Sequence, residues 1–249
     1  MSHRFFKMMI KDVINLVQRR YDVITELKSI VYEYSKFANE RDHIQKIIEQ
    51  HYWLFGEQYS LVTADRTIRT SLEQYEQMLR YAGTDELSLE EKDLTQRMDI
   101  FLYSSRMTEM AQHEGLIVEL KAPSVSLSLD VFNQIDRYAH IIHKEPRFQS
   151  ADRTWRFIAV CKSVNDEVKL KYPNFEKQGK KCLVDVVGNC EVYAMSWDDI
   201  FTGFNLRHRF LLDKLRVDYE QSTDAGKTTD EVSRKYVNEK VRLLAKMQA

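Results

Sequence analysis

Turn-forming residues and cysteine are scarce in this sequence. Its 249 residues include 7 glycines and 3 prolines, well below the usual shares of about 7% and 5%. This scarcity argues against a fold rich in tight hairpins and indicates long helices and strands. The cysteines are Cys161, Cys182 and Cys190. Their number is odd and they form no Cys-x-x-Cys pair, which predicts free thiols in a reducing, cytoplasmic compartment rather than a disulfide framework.

Long apolar runs and an excess of one charge are also missing. No segment approaches 18 consecutive apolar residues, and the first residues, MSHRFFKMMIKDV, lack the apolar stretch and cleavage site of a signal peptide. We therefore expect neither a membrane span nor secretion. The formal net charge is −1, so a surface that binds nucleic acid has to be local. Hydrophobic residues make up 43% of the chain, enough to build a core.

The hydrophobic periodicity predicts an α/β protein. Apolar residues three or four apart predict helices over 5–36, 39–55, 71–80, 126–145 and 166–172, with a further helix from Trp197 onward. Apolar alternation or short apolar runs predict strands over 59–69, 97–105, 115–123 and 156–161, followed by one or two strands in KCLVDVV and CEVYAMS. Residues 81–91 are typical of a loop, and 105–115 of a polar connection. This order predicts a mixed sheet flanked by helices.

Three segments are expected along the chain. Residues 1–37 form an amphipathic helical extension, whose apolar stripe fits equally well against its own domain or against a second copy of the chain. Residues 38–220 form the α/β domain. Residues 221–249 comprise a linker, which begins QSTDAGKTTDEV, and a closing helix.

An acid and a base stand one residue apart in the apolar stretch LIVELKAP. Residues i and i+2 of a strand share a face, so Glu119 and Lys121 point the same way. If the strand that contains Asp99 pairs with this one, Asp99 approaches Glu119, and the two carboxylates repel unless a cation lies between them. Mg²⁺ or Mn²⁺ suits such oxygen ligands. Asp99 and Glu119 are thus candidate metal ligands, with Lys121 beside a metal-bound water; the alternative is a surface ion pair.

This arrangement of an Asp on one strand and Glu-x-Lys on the next resembles the PD-(D/E)xK nuclease superfamily. The resemblance implies a restriction-endonuclease-like fold, a mixed central sheet flanked by helices, here with extra N- and C-terminal helices. It assigns Asp99 and Glu119 to metal binding and Lys121 to the attacking water. The family's proline before the Asp is replaced by Met98; that proline binds nothing.

Two further features extend the resemblance. Gln134 and Tyr138 match the Q-x-x-x-Y pattern of RecB-like members, and residues four apart share a helix face, so both are expected to orient the scissile phosphate or its water shell. Glu40 opens an E-x-x-x-x-Q pattern and matches an early acid that completes the metal site. Residues 38–200 together are similar to the nuclease domain of Shedu anti-phage defence proteins.

The resemblance implies a DNA endonuclease, dependent on Mg²⁺ or Mn²⁺, that acts in anti-phage defence. The expected partner is DNA, with self-association through the N-terminal helix and with other domains of a longer parent protein. Two alternatives stay open: a catalytically silent fold kept for nucleic-acid binding or assembly, and a nuclease module gated by another domain.

Other candidate sites are weaker. Residues 162–181 are the most basic stretch of the chain. They are either a surface that contacts DNA phosphates or an ordinary solvated surface. The lysines are Lys162, Lys169, Lys171, Lys177, Lys180 and Lys181. His140 and His143 have a spacing that zinc sites use, but no matching ligand pair stands nearby in the sequence. We expect no zinc there.

Overall fold

A six-stranded mixed sheet forms the centre of the protein, in a computed structural model that describes residues 3–35, 40–79, 87–107 and 111–209. The strands are β1 Ser60–Thr67, β2 Arg97–Met107, β3 Ala111–Leu120, β4 Ser126–Leu127, β5 Arg153–Cys161, β6 Ser163–Val164, β7 Leu183–Val187 and β8 Cys190–Ser196. The large sheet has the order β1-β2-β3-β5-β8-β7, and β4 pairs with β6 in a separate two-stranded sheet. The strands β3, β5 and β8 run parallel, whereas the pairs β1–β2, β2–β3 and β7–β8 are antiparallel.

Helices accompany this sheet, and the predicted class, a mixed central sheet flanked by helices, is confirmed. They are α1 His3–Lys28, α2 Lys46–Gln50, α3 Ile68–Met78, α4 Glu91–Leu94, α5 Leu129–Lys144, α6 Asp166–Lys169 and α7 Pro173–Glu176. Residues 197–209 are also helical. The helix predicted over 39–55 is divided into a π-helical turn Glu40–Gln45, α2 and a 3₁₀ turn Tyr52–Phe55. The break between α2 and the 3₁₀ turn occurs at His51, whose φ of −128° leaves the helical region.

Helix α5 connects the parallel strands β3 and β5. Its first turn is capped by the Ser128 hydroxyl, which accepts a hydrogen bond from the Val131 backbone N–H at 3.5 Å. Apolar residues three and four apart face the sheet, and the buried ones are Phe132, Ile135, Tyr138, Ala139, Ile141 and Ile142. Gln134 is exposed but lies at the border of the buried side of this helix, within hydrogen-bond distance of β3.

The hairpin of β2 and β3 is longer than predicted. The pairing runs from Ile100 opposite Val118 to Met107 opposite Ala111, so the polar connection predicted over 105–115 is wrong for all but the undescribed residues 108–110. The two strands pair through backbone hydrogen bonds, which do not depend on the side chains. Near the turn the side chains of β2 and β3 are polar and partly exposed, so the sequence there lacks the apolar pattern from which strands are predicted.

A close fit between neighbouring strands fixes the register of β3 against β5. Gly115 lies opposite Trp155, and the indole ring covers the glycine so closely that a Cβ atom there would lie 2.4 Å from Trp155 Cε3. The Trp155 side chain is fully buried, and its Nε1–H donates to the Phe148 carbonyl at 3.2 Å.

Both faces of the sheet are buried. Phe101, Ile117 and Phe157 belong to the core that α3 and α5 cover, while Ile100 and Val118, which alternate with them, are equally inaccessible on the other face. The π-helical turn Glu40–Gln45 packs against β3.

The chain divides into two compact units. One spans Arg20–Phe204 and contains the whole sheet; the other comprises Met1–Arg19 and Asn205–Ala249, of which residues 3–19 and 205–209 are described. The predicted linker and closing helix, 221–249, lie outside the described residues. None of the helices in the described ranges is both long and apolar enough to cross a membrane.

Candidate active site

Two neighbouring strands bring Asp99 and Glu119 together. The backbone pairing of these strands ends with Ile100 opposite Val118. Asp99 and Glu119 are the next residues outward on the two strands, and by the two-residue repeat their side chains share the face that α5 covers. The Asp99 carboxylate accepts a hydrogen bond from the Leu120 backbone N–H, with Oδ2 at 2.8 Å. Both acids are buried, Asp99 with 8% and Glu119 with 3% of its surface exposed. The predicted approach of these two strands is confirmed.

The side chain of Lys121 lies on the same face as Glu119, as a two-residue repeat requires. Its Nζ donates to Glu119 Oε1 at 2.7 Å and to Gln134 Oε1 at 2.9 Å. Gln134 in turn donates from Nε2 to the same Glu119 oxygen at 2.6 Å. Three polar side chains therefore form a closed ring of hydrogen bonds.

Tyr138 anchors this ring to β2. Its hydroxyl donates to the Arg97 backbone carbonyl at 2.6 Å and accepts from Gln134 Nε2 at 3.2 Å. Burial raises the pKa of the Tyr138 hydroxyl, and the negative charges of Glu119 and Asp99 raise it further. The hydroxyl therefore stays protonated at neutral pH, and its one hydrogen is already donated to the Arg97 carbonyl.

These residues line one cleft at the edge of the sheet where β3 ends. The cleft has a volume of about 710 Å³ and is lined by Lys92, Asp93, Gln96, Arg97, Asp99, Glu119, Lys121, Gln134, Arg137 and Tyr138. In sheets with parallel strands, ligands bind outside the carboxyl ends of those strands, which is where this cleft opens. Five of the six predicted site residues line it.

Glu40 is the sixth predicted residue. Its side chain lies outside the described residues, so its part in metal binding stays a prediction. The turn that it opens does reach the site: Gln45, the glutamine of the E-x-x-x-x-Q pattern, is buried and donates from Nε2 to the Asp99 backbone carbonyl at 3.3 Å. This glutamine holds the backbone that carries Asp99.

Several cleft residues carried no signal that the sequence analysis used. Asp93 and Gln96 come from α4 and the turn after it, where Gln96 Nε2 donates to Asp93 Oδ1 at 3.3 Å. Arg97 bonds to Asp65 through Nε at 2.9 Å. Arg137, by contrast, was detectable, because it lies three residues after Gln134 and so on the same side of a helix.

The donor set fits a hard divalent cation. Mg²⁺ is held in proteins through one or two carboxylates, with waters and substrate phosphates as the remaining ligands. Asp99 and Glu119 supply two carboxylates at a cleft wide enough for a phosphate. Among the described residues no group of three or more His, Cys, Asp or Glu is placed to hold a metal ion. Asp93 also lines the cleft, but Asp99 and Glu119 are the two acids that lie on neighbouring strands.

The remaining candidates have structural roles. All three cysteines are free and buried, as predicted, and burial raises the pKa of the Cys161 thiol to about 11. His140 lies 3.5 Å from Asp136, and His143 bonds to Gln149 at 2.9 Å.

Comparisons with known proteins add little. No family model and no curated protein matches the chain. Among solved structures, a repair endonuclease from Pyrococcus abyssi is similar over 64% of this chain, with 14% identical residues and a TM-score of 0.33. The chain covers 48% of the length of that protein. This likeness is too weak to support an inference about function, so the function has to be inferred from the residues of the cleft.

Proposed function

We propose that this chain is a metal-dependent endonuclease that hydrolyses phosphodiester bonds in DNA. The observation that carries the proposal is the meeting of Asp99, Glu119, Lys121, Gln134 and Tyr138 in one cleft. These residues come from two strands and a helix, in the order that the PD-(D/E)xK resemblance implies. A surface ion pair would be exposed, whereas Asp99 and Glu119 are buried on adjacent strands. Lys121 compensates Glu119, and the repulsion between the two carboxylates favours a further cation beside them.

In this proposal Asp99 and Glu119 hold Mg²⁺ or Mn²⁺, and Glu40 contributes through a second metal ion or a metal-bound water. When bound, the ion polarises the phosphoryl oxygen and lowers the pKa of a bound water. The Leu120 N–H fixes the orientation of the Asp99 carboxylate.

Lys121 has the donor needed to position the water. An ammonium has three N–H groups, and two of them contact Glu119 and Gln134. The third is directed by those two contacts and is offered to the attacking water or to a phosphate oxygen. The water oxygen then forms a bond to phosphorus and releases a proton to the bulk solvent, which is also the source of the proton for the leaving group, and the bond to the 3′ oxygen breaks. The 3′ oxygen takes up a proton and the product keeps a 5′-phosphate.

Gln134 and Tyr138 have different parts. Gln134 faces the cleft and orients the Glu119 carboxylate and the Lys121 ammonium together. Tyr138 donates its proton to the Arg97 carbonyl, so it acts through Gln134 by fixing that amide and the position of α5.

The test is cleavage of supercoiled plasmid with Mg²⁺ or Mn²⁺. We expect wild type to nick the plasmid, and Asp99→Asn, Glu119→Gln and Lys121→Ala each to lower the rate at least about 100-fold, the scale of losing one group that stabilises the transition state. Glu167→Gln, which changes an exposed acid on α6, is the matched control and should cut normally. Binding of DNA by wild type without cleavage in either metal would favour the silent binding module. RNA and DNA of the same sequence, offered in parallel, decide the sugar preference.

The biological role, anti-phage defence, is supported by the sequence resemblance to Shedu proteins. We expect cells that express wild type to lower phage plating, and Lys121→Ala to remove the protection. Equal plating with and without the wild-type chain would leave a nuclease with another purpose, or one that a further domain releases.

Self-association is proposed through α1. Met8, Met9 and Leu16 are each about half exposed on this helix, and apolar side chains grouped at a surface are typical of an interaction site. Light scattering of wild type and of a variant with all three changed to Gln measures the oligomer; an unchanged mass would refute this role for the helix.

A further inference from the structure

The cleft contains four cationic side chains, and three of them are compensated within the fold. Lys121 bonds to Glu119 at 2.7 Å, Arg97 to Asp65 at 2.9 Å, and Lys92 to Glu90 at 2.6 Å. The fourth cation is Arg137 of α5. It is exposed, and no described residue forms an ion pair or a hydrogen bond with its guanidinium. Its charge is therefore available to a ligand.

The position of Arg137 relates it to the proposed chemistry. It follows Gln134 by three residues and precedes Tyr138, so it lies on the cleft side of α5. Its positive charge acts on the neighbouring hydroxyl and opposes the rise in the pKa of Tyr138. The guanidinium is thus near the hydrogen-bonded ring but takes no part in it.

We propose that Arg137 binds a backbone phosphate of the DNA strand held in the cleft, an inference that rests on the proposed nuclease function. A guanidinium presents its N–H groups in a planar fork that matches two phosphate oxygens. Because Arg137 lines the same cleft as Lys121, the phosphate at Arg137 is a neighbour of the scissile one. The contact carries no base recognition, so it serves any sequence.

The basic stretch 162–181 is the rival surface, and the fold uses much of its charge internally. Lys169 pairs with Asp166 at 3.4 Å, and Lys181 with Asp199 at 3.4 Å. Lys180 bonds to Glu191. The ammonium of Lys171 lies 5.1 Å from the centre of the Phe132 ring. The ammonium groups of Lys162 and Lys177 form no ion pair or hydrogen bond with a described residue, so these two lysines are the rival phosphate contacts in this stretch.

The experiment measures how DNA affinity depends on salt. Fluorescence anisotropy of a labelled duplex is followed from about 50 to about 200 mM salt, a range that separates phosphate contacts. The buffer contains Ca²⁺, and a gel verifies that the probe stays intact. We expect Arg137→Ala to weaken binding about tenfold to a hundredfold at low salt, as for a lost charge-assisted hydrogen bond, and to reduce the salt slope by about 1. Arg137→Lys should keep the slope while losing part of the affinity.

Arg106→Ala is the matched control. Arg106 is exposed on β2 nine residues after Arg97, about 30 Å along the strand at the usual rise. Its removal should therefore leave the DNA affinity and its salt dependence unchanged. An unchanged slope in Arg137→Ala overturns the inference. So does a slope lowered by Lys177→Ala alone, which would assign the contact to the basic stretch. If wild type cleaves plasmid while Arg137→Ala binds normally, only this inference fails; if wild type neither binds nor cleaves DNA, the proposed function fails with it.

Discussion

Replacing Lys121 by Met should tighten divalent-metal binding while abolishing cleavage. In the structure the Lys121 ammonium already acts as the cation for Glu119, with Nζ 2.7 Å from Oε1. A metal ion needs the same carboxylate and repels the ammonium. Under the proposed function, wild type should therefore lose part of the binding free energy of the metal in separating this pair, and a variant with an apolar side chain of similar length should not.

The size of the effect follows from the burial of the pair. The side chains of Lys121 and Glu119 are 15% and 4% exposed, so solvent screens their attraction little. Charges 2.7 Å apart attract by about 6 kcal/mol at an effective dielectric constant of about 20, but desolvation cancels most of this. Hydrogen bonds to charged groups contribute a net of about 1.5–3 kcal/mol. If Lys121→Met no longer loses this free energy in separating the pair, the variant binds the metal about tenfold to a hundredfold more tightly than wild type.

Calorimetric titration with Mn²⁺ measures the affinity, and plasmid nicking measures the activity of the same samples. Lys169→Met is the matched control, because it removes a lysine from an exposed ion pair with Asp166 and should leave the affinity for Mn²⁺ unchanged. Glu119→Gln should abolish tight binding in either background. Equal or weaker Mn²⁺ binding by Lys121→Met would refute the competition between ammonium and metal, even if cleavage were lost.

Three further predictions concern the frame around the cleft. Tyr138→Phe removes the hydrogen bond to the Arg97 carbonyl and should lower the free energy of unfolding by about 1 kcal/mol, measured by urea denaturation; an unchanged midpoint would mean that water replaces the hydroxyl at no cost. Gly115→Ala forces a methyl group against Trp155 and should cost about 1–3 kcal/mol, seen as a lower melting temperature; a stability equal to wild type would show that the indole moves aside. Burial raises the pKa of Tyr75 and of Tyr138 above the value of about 10 for an exposed tyrosine. The unfolded chain therefore loses these protons first, and stability present below about pH 10 should decline as the pH rises beyond it; urea midpoints that stay level from about pH 9 to about pH 11 would contradict these shifts.

The parts of the site that follow from local geometry could be predicted from the sequence. The two-residue repeat of a strand places Glu119 and Lys121 on one face, and the four-residue repeat of a helix places Gln134 and Tyr138 on one side. Both relations hold in the structure. The pairing of the strand of Asp99 with that of Glu119 was a condition of the proposed site that the sequence did not establish, and the two strands do pair in the structure.

What the sequence did not yield depends on contacts between distant segments. Asp93 in α4 and Arg97 at the start of β2 line the same cleft as Glu119, and no periodicity in the sequence indicates that. The polar ends of β2 and β3, with Arg106 and His113, pair through backbone atoms and so lack a hydrophobic pattern. The proton of Tyr138 is directed to a carbonyl 41 residues away in the chain, which only coordinates reveal.

The glycine that accommodates the indole ring has a consequence for the cleft, although the two are far apart along β3. Glu119 lies four residues beyond Gly115 on β3, about 13 Å along the strand. Sliding β3 by one residue would bring a side chain onto the indole and turn Glu119 and Lys121 away from α5. Gly115 thus fixes the register of β3, because the strand fits beside Trp155 only when the glycine lies opposite the indole ring. In that register Glu119 and Lys121 face the cleft.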